Sequence, residues 1–218
     1  MKFYKKLTLA SCLLVLFASN SHAAMEDELL ALQHQWAKVN YQLADKAQEQ
    51  AFEGLISDIE QYQKTYADKA EGYIWLGIIK SSFAGAKGGI SALGLAKEAK
   101  SALETALSIN PNALDGSAYT SLGTLYSKVP GWPLGFGDDK KAEDLLKKAL
   151  TINPKGIDPN YFYGQYLYDD KQYSDAKKYL EIAHNAAPRV DRPLADQYRQ
   201  HEIAQLLDKV EKKLKKKK

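Results

Sequence analysis

The sequence predicts an all-α fold, with about four helical hairpins stacked as a solenoid and closed by a C-terminal helix. Two observations predict it. The pattern Ala-x3-Leu-x2-Ala-x4-Pro occurs three times: Ala99, Leu103, Ala106, Pro111; Ala142, Leu146, Ala149, Pro154; and Ala176, Leu180, Ala183, Pro188. An aromatic and glycine-centred stretch precedes each copy: Tyr73, Leu76 and Gly77; Tyr119, Leu122, Gly123 and Tyr126; then Tyr163, Gly164 and Leu167. Alanine and leucine spaced by three and four residues share one helical face. Small residues on that face let a second helix approach closely, and the proline ends the helix. Each copy is therefore two antiparallel helices and a stop, and such a pair buries its apolar face only by stacking on another. No segment carries the alternation of a strand.

The elements follow in order. Lys2, Lys5 and Lys6 precede an apolar run from Leu7 to Ala18, and Ser21-His22-Ala23 follows. Basic, apolar and small segments in that order form a secretory signal peptide over 1–23, cleaved after Ala23, which places the mature chain in the periplasm. Cys12, the sole cysteine, follows Leu9-Ala10-Ser11 in the manner of a lipobox. The hydrophobic run continues through Phe17, which argues against a lipid anchor there. Cleavage at Ala23 leaves no cysteine and so no disulfide or thiolate chemistry.

Residues 24–69 read as a degenerate N-terminal hairpin. Leu29, Leu30, Leu32, Trp36 and Val39 give one stripe and Phe52, Leu55, Ile56 and Ile59 a second. Residues 70–188 hold the three repeats. The gap from glycine to the first alanine is 12 residues in the last repeat, Gly164 to Ala176. It is 22 from Gly77 to Ala99 and 19 from Gly123 to Ala142, so the first two repeats carry insertions near 84–93 and 128–137. Both are expected as extended turns on one side of the solenoid. A capping helix spans 189–211, with Asp191 as its cap before Pro193, and a basic tail spans 212–218.

Pro154 to Pro188 is 34 residues. Period and residue types resemble the tetratricopeptide repeat, W-x2-L-G-x2-Y, then A-x3-F, then P. The resemblance covers 70–188 and implies a right-handed α-solenoid that binds other proteins. The segments Lys128-Val129-Pro130-Gly131-Trp132-Pro133-Leu134-Gly135-Phe136-Gly137 and Ile157-Asp158-Pro159-Asn160-Tyr161-Phe162-Tyr163-Gly164 are similar to a narrower group, the TatT components associated with periplasmic TRAP transporters. That similarity implies a periplasmic solute-binding protein as partner.

Charge and motifs narrow the function classes. Without its first 23 residues the chain has 27 basic and 27 acidic residues, and seven of the lysines crowd into 208–218. Residues 24–207 carry a net charge of −5, which is no nucleic-acid footprint. The basic tail is the only segment suited to a membrane surface. His34, His184 and His201 lie in different predicted helices, with no metal-ligand spacing. Gly85-Ala86-Lys87-Gly88-Gly89 follows no strand and reads as a flexible turn, not a phosphate loop. Asp138-Asp139 and Asp169-Asp170 read as helix caps or turns. No catalytic residues, metal site or cofactor are expected.

First helices of stacked hairpins line the concave face. Residues offset from the seam are candidates for contact with a partner or ligand: Ile74, Ile78, Ser81, Thr120, Thr124, Tyr161, Gln165 and Tyr168. In the second insertion, Trp132 and Phe136 either anchor an interface or fold back over the helix pair. The reading is an exported protein-binding adaptor, with two alternatives: a carrier of a small hydrophobic ligand in the groove, or an envelope assembly scaffold. Self-association is compatible with each.

Overall fold

The computed structural model describes residues 4–216, with side chains from residue 23 onward. The expected signal segment 1–23, with Cys12, lies outside the described side chains apart from Ala23. Nine helices are present among the described residues: α1 Tyr4–Gln42, α2 Asp45–Thr65, α3 Ala70–Lys87, α4 Gly89–Ile109, α5 Ala113–Lys128, α6 Asp139–Ile152, α7 Ile157–Asp169, α8 Tyr173–His184 and α9 Pro193–Lys215. No described helix is long and apolar enough to cross a membrane.

The helices pair as hairpins α1–α2, α3–α4, α5–α6 and α7–α8, and α9 packs on α8. First helices of successive hairpins also touch, α1 to α3, α3 to α5 and α5 to α7. The three-fold pattern forms the seam of each hairpin. Ala99, Leu103, Ala106, Ala142, Leu146, Ala149, Ala176, Leu180 and Ala183 are all fully buried. The facing glycines explain why. A Cβ on Gly77 would stand 2.5 Å from Leu103 Cγ, one on Gly123 2.8 Å from Leu146 Cγ, and one on Gly164 2.8 Å from Leu180 Cγ. Each leucine thus fills the space that a side chain on the opposite helix would need. Behind each seam the helix stops, and Pro111, Pro154 and Pro188 lie just beyond α4, α6 and α8.

The two insertions differ. The first is not an extended turn. Its residues lengthen α3 and α4, so that only Gly88 separates them, at φ 63 and ψ −178, a conformation open to glycine alone. The seam supports the added turns, because Phe83 stacks on Phe52 at 5.4 Å and Ala84 and Ala96 are buried. The flexible-turn reading of Gly85 to Gly89 is corrected accordingly. The second insertion is a loop between α5 and α6. It is pinned by Gly137 N donating to the Pro130 carbonyl (2.9 Å) and Asp138 N to the Tyr126 carbonyl (3.0 Å). Asp138 then caps α6 by accepting from Lys141 N at 3.0 Å. At α9 the cap position falls to Arg192, with Pro193 first in the helix, so Asp191 does not cap it.

Two glycine substitutions separate the seam from the surface. Gly123→Ala overpacks against Leu146, which costs about 1–3 kcal/mol, and its helix-propensity gain of roughly 1 kcal/mol offsets only part of this. Gly54 lies within α2 with nothing near its absent Cβ, so Gly54→Ala stabilises by about 0.5–1 kcal/mol. Urea unfolding followed by circular dichroism should move the two midpoints in opposite directions.

Candidate ligand chamber and its rim

A four-hairpin solenoid is expected to leave its concave face open, but here the last helix returns to the first. Packing of α9 against α1 closes the path. Tyr41 stacks on Tyr198 at 4.7 Å with planes 3° apart, and His34 Nε2 donates to the Asp191 carbonyl at 2.6 Å. Leu194 and Ala195 of α9 join the core of the first two hairpins. The concave face becomes a half-enclosed chamber of about 1420 Å³. That exceeds the roughly 300–1,000 Å³ of common small-molecule pockets.

Ile78, Ser81, Thr120, Thr124, Tyr161 and Gln165 line this chamber. Ile74 does not: although Thr120 and Tyr161 hold the matching positions before Gly123 and Gly164, Ile74 is fully buried in the core shared by α3, α4 and α5. Tyr168 does not either. It follows Gly164 by one turn and packs beside Tyr173 at 5.6 Å, at the α7–α8 turn. Three wall hydroxyls are already committed as donors: Ser81 donates to the Gly77 carbonyl, Thr124 to that of Thr120 and Ser117 to that of Leu114. What these oxygens retain is acceptor capacity. Leu114 and Asp115, also on the wall, hold left-handed φ values of 46 and 53 beside Gly116 at 75. Such a turn costs about 1–2 kcal/mol per L-residue, and a Cβ on Gly116 would meet Ile152 at 2.9 Å.

The pole opposite carries charge that the sequence reading missed. The chain has three arginines, Arg189, Arg192 and Arg199, and all three line the chamber. Asp158 accepts from Arg189 Nη1 at 2.6 Å and from Arg199 Nε at 2.9 Å. Arg189 Nε donates to Asp196 at 2.7 Å, and Arg199 Nη1 to Glu202 at 2.6 Å. The Arg199 guanidinium also lies over Tyr161 and Phe162, at 4.4 and 4.6 Å. Burial pushes the Asp158 carboxyl up, but the Arg199, Arg189 and Arg192 charges outweigh it and hold it well below the usual carboxylate range. Burial raises the Glu202 carboxyl, only partly opposed by Arg199, and raises the Tyr41 hydroxyl to about 12. The signal available in the sequence was composition: arginine appears nowhere before residue 189.

Arg192 is the exception in this network. Its guanidinium lies over the Trp75 ring at 5.0 Å, and among the described residues it forms no ion pair with a carboxylate. Arg192 Nε and Trp75 Nε1 are both buried without an acceptor. An unpartnered buried donor costs about 1–3 kcal/mol. Burial lowers the proton affinity of Arg192, and the neighbouring Arg189 charge lowers it further.

The second insertion forms one rim. Its two aromatics separate: Phe136 folds back edge-on against Tyr126 at 5.5 Å, whereas Trp132 is 90% exposed. Leu134 (73% exposed) and Ile90 of α4 (94%) are also solvent-facing, and both line the chamber mouth. Among the described residues no group of three or more His, Cys, Asp or Glu could hold a metal ion.

Asp158 ties α7 to α9, so its loss should weaken closure. Asp158→Asn leaves two guanidiniums short of a counter-charge and destabilises by about 2–3 kcal/mol, below the usual cost for a buried pair because Asp158 is a quarter exposed. The pH dependence has a definite sign. A carboxylate lowered in the folded state stabilises above its unfolded value near 4, and that contribution is lost as pH falls below it. Denaturant midpoints from pH 7 to 3 should therefore fall more steeply for the native chain than for the variant.

No family model matches the chain, and no curated protein resembles it in sequence. Among solved structures, a thermophilic TPR protein of Thermus thermophilus superposes with a TM-score of 0.53 at 18% identity, over 69% of this chain and 72% of that one. The MamA protein covers 85% of this chain and 93% of its own at 18% identity and a TM-score of 0.44, too low to bear on the fold. The fold is thus that of a tetratricopeptide-repeat-like α-solenoid.

Proposed function

We propose that this chain is an exported, non-catalytic binding adaptor that docks a protein partner on the rim of its chamber. One observation carries the reading: Ile90, Trp132 and Leu134 are large apolar side chains held out to solvent, Ile90 just after the α3–α4 break and the other two on the pinned α5–α6 loop. Exposed apolar side chains such as these, with Trp132 the aromatic among them, act as interface anchors, because docking buries their surface while the pinned loop leaves less backbone entropy to lose. The basic, apolar and small segments of residues 1–23 support export to the periplasm. The similarity of 128–137 and 157–164 to TatT components supports a solute-binding protein of a TRAP-type transporter as the partner.

A second reading has its own observation. Closure of α9 on α1 turns the concave groove into a chamber with more than enough room for a small ligand, which favours carriage of a hydrophobic or amphipathic molecule. The two readings are compatible, with the rim meeting a protein and the chamber holding what passes between them.

Capture from a periplasmic extract tests the adaptor reading. Immobilised native protein should enrich a solute-binding protein, and the double variant Trp132→Ala, Leu134→Ala should lose at least ten-fold of that enrichment. Both side chains are exposed, so the change costs no more than about 0.5 kcal/mol of stability. Equal capture by both proteins removes the rim from the interface, and enrichment of cell-wall enzymes alone replaces the transport partner with envelope assembly.

A further inference from the structure

We infer that the Arg192–Trp75 corner of the chamber is an anion subsite, taking the carboxylate of an amphipathic ligand whose apolar body lies along α3. The inference rests on the second reading above, that the chamber holds a small ligand.

Charge points to an anion. Arg192 lines the chamber and, among the described residues, pairs with no carboxylate, while its guanidinium lies over the Trp75 ring. Its Nε is shielded from solvent, which leaves the terminal guanidinium nitrogens as the donors a ligand meets. A cation in that position favours an anionic acceptor over a neutral one. The acids nearby do not occupy this role. Asp158 is held by Arg189 and Arg199, Asp196 by Arg189, and Glu202 by Arg199. Arg192 stays outside those pairs while its planar face is fixed against Trp75. Arginine suits this task better than lysine, because its planar fork meets both oxygens of a carboxylate and it remains charged when buried. A chain with 27 lysines that confines its arginines to 189–199 makes that chemistry a local feature.

Geometry supplies the body of the ligand. Trp75, Ile78, Ser82 and Gly85 face the chamber along α3. Ten residues of helix separate Trp75 from Gly85, roughly 15 Å at 1.5 Å per residue. Leu93 and Ala96 of α4 and Leu125 and Val129 of α5 supply apolar wall toward the far end. A straight chain of about twelve carbons fits that length, with its carboxylate at Arg192 and its tail toward the Ile90–Leu134 mouth.

The test uses the mature protein and three probes. The neutral dye N-phenyl-1-naphthylamine reports on the chamber itself, and dodecanoate and dodecanol compete for it. Dodecanoate should displace the dye at a concentration at least ten-fold lower than dodecanol. Arg192→Gln should weaken dodecanoate ten-fold or more and leave dodecanol unchanged. Arg192→Lys keeps the charge but loses the planar fork, and should weaken dodecanoate about three-fold; it carries the test if circular dichroism shows Arg192→Gln to be unfolded. If the dye binds and both competitors act equally, or both variants retain native affinity for dodecanoate, the anion subsite is wrong while the chamber stands. If neither the dye nor dodecanoate binds the native protein, the ligand chamber fails and the subsite with it.

Discussion

The close approach of a glycine on one helix to a leucine on the next underlies the architecture. At Gly77–Leu103, Gly123–Leu146 and Gly164–Leu180 the spacing leaves no room for a Cβ. The three hairpins are therefore locked in the same relative arrangement, and stacking near-identical units gives a regular curve. The concave face, and everything that could bind there, follows from that curve. The price appears in helix propensity, since each glycine sits mid-helix where alanine would be favoured by roughly 1 kcal/mol.

Curvature alone does not make a chamber. Closure comes from the residues after the last repeat, where Arg189 and Arg199 reach back to Asp158 at the start of α7 and Tyr198 stacks on Tyr41 of α1. A buried ion-pair network is a poor source of net stability, because desolvation offsets most of the Coulombic gain. Its effect here is positional: it fixes the first turns of α9 against α7, so that the same helix can meet α1. Arg189 and Arg199 thus serve as structural ties, and Arg192 leaves one guanidinium uncommitted.

The seam was legible because small residues recur at a fixed phase, and a helix face is the only arrangement that uses such spacing. The first insertion was misread because Gly85, Gly88 and Gly89 look like a turn, whereas alanines around them and the Phe83–Phe52 stack sustain helix up to Gly88 itself. Trp132 and Phe136 could not be separated in sequence. Both adjoin Pro or Gly, and only the position of Tyr126 decides which one is covered. Ile74 and Tyr168 hold the same positions relative to a seam glycine as Thr120, Tyr161 and Ser81, which do reach the chamber, so periodicity could not separate them; local packing decides, with Ile74 in the core and Tyr168 beside Tyr173. The arginine pole lay beyond reach of the repeat pattern, since Asp158 and Arg199 are 41 positions apart and meet only once the solenoid has curved.

The left-handed turn at Leu114–Gly116, the orphaned donors at Trp75 and Arg192, and the solvent-facing Ile90, Trp132 and Leu134 all cost stability. Comparable features occur elsewhere too: Gln63 Nε2 and Asn160 Oδ1 are buried without a partner, Asp45 and Lys171 hold left-handed φ values, and Val190 is 92% exposed. What distinguishes Leu114, Asp115, Arg192, Ile90 and Leu134 is that they line one cavity, so a single molecule can meet all of them. Their chemistry divides that cavity: an unpaired guanidinium at the α9 pole, hydroxyls on α3 and α5, and apolar side chains at the mouth, an order suited to one elongated ligand held end to end.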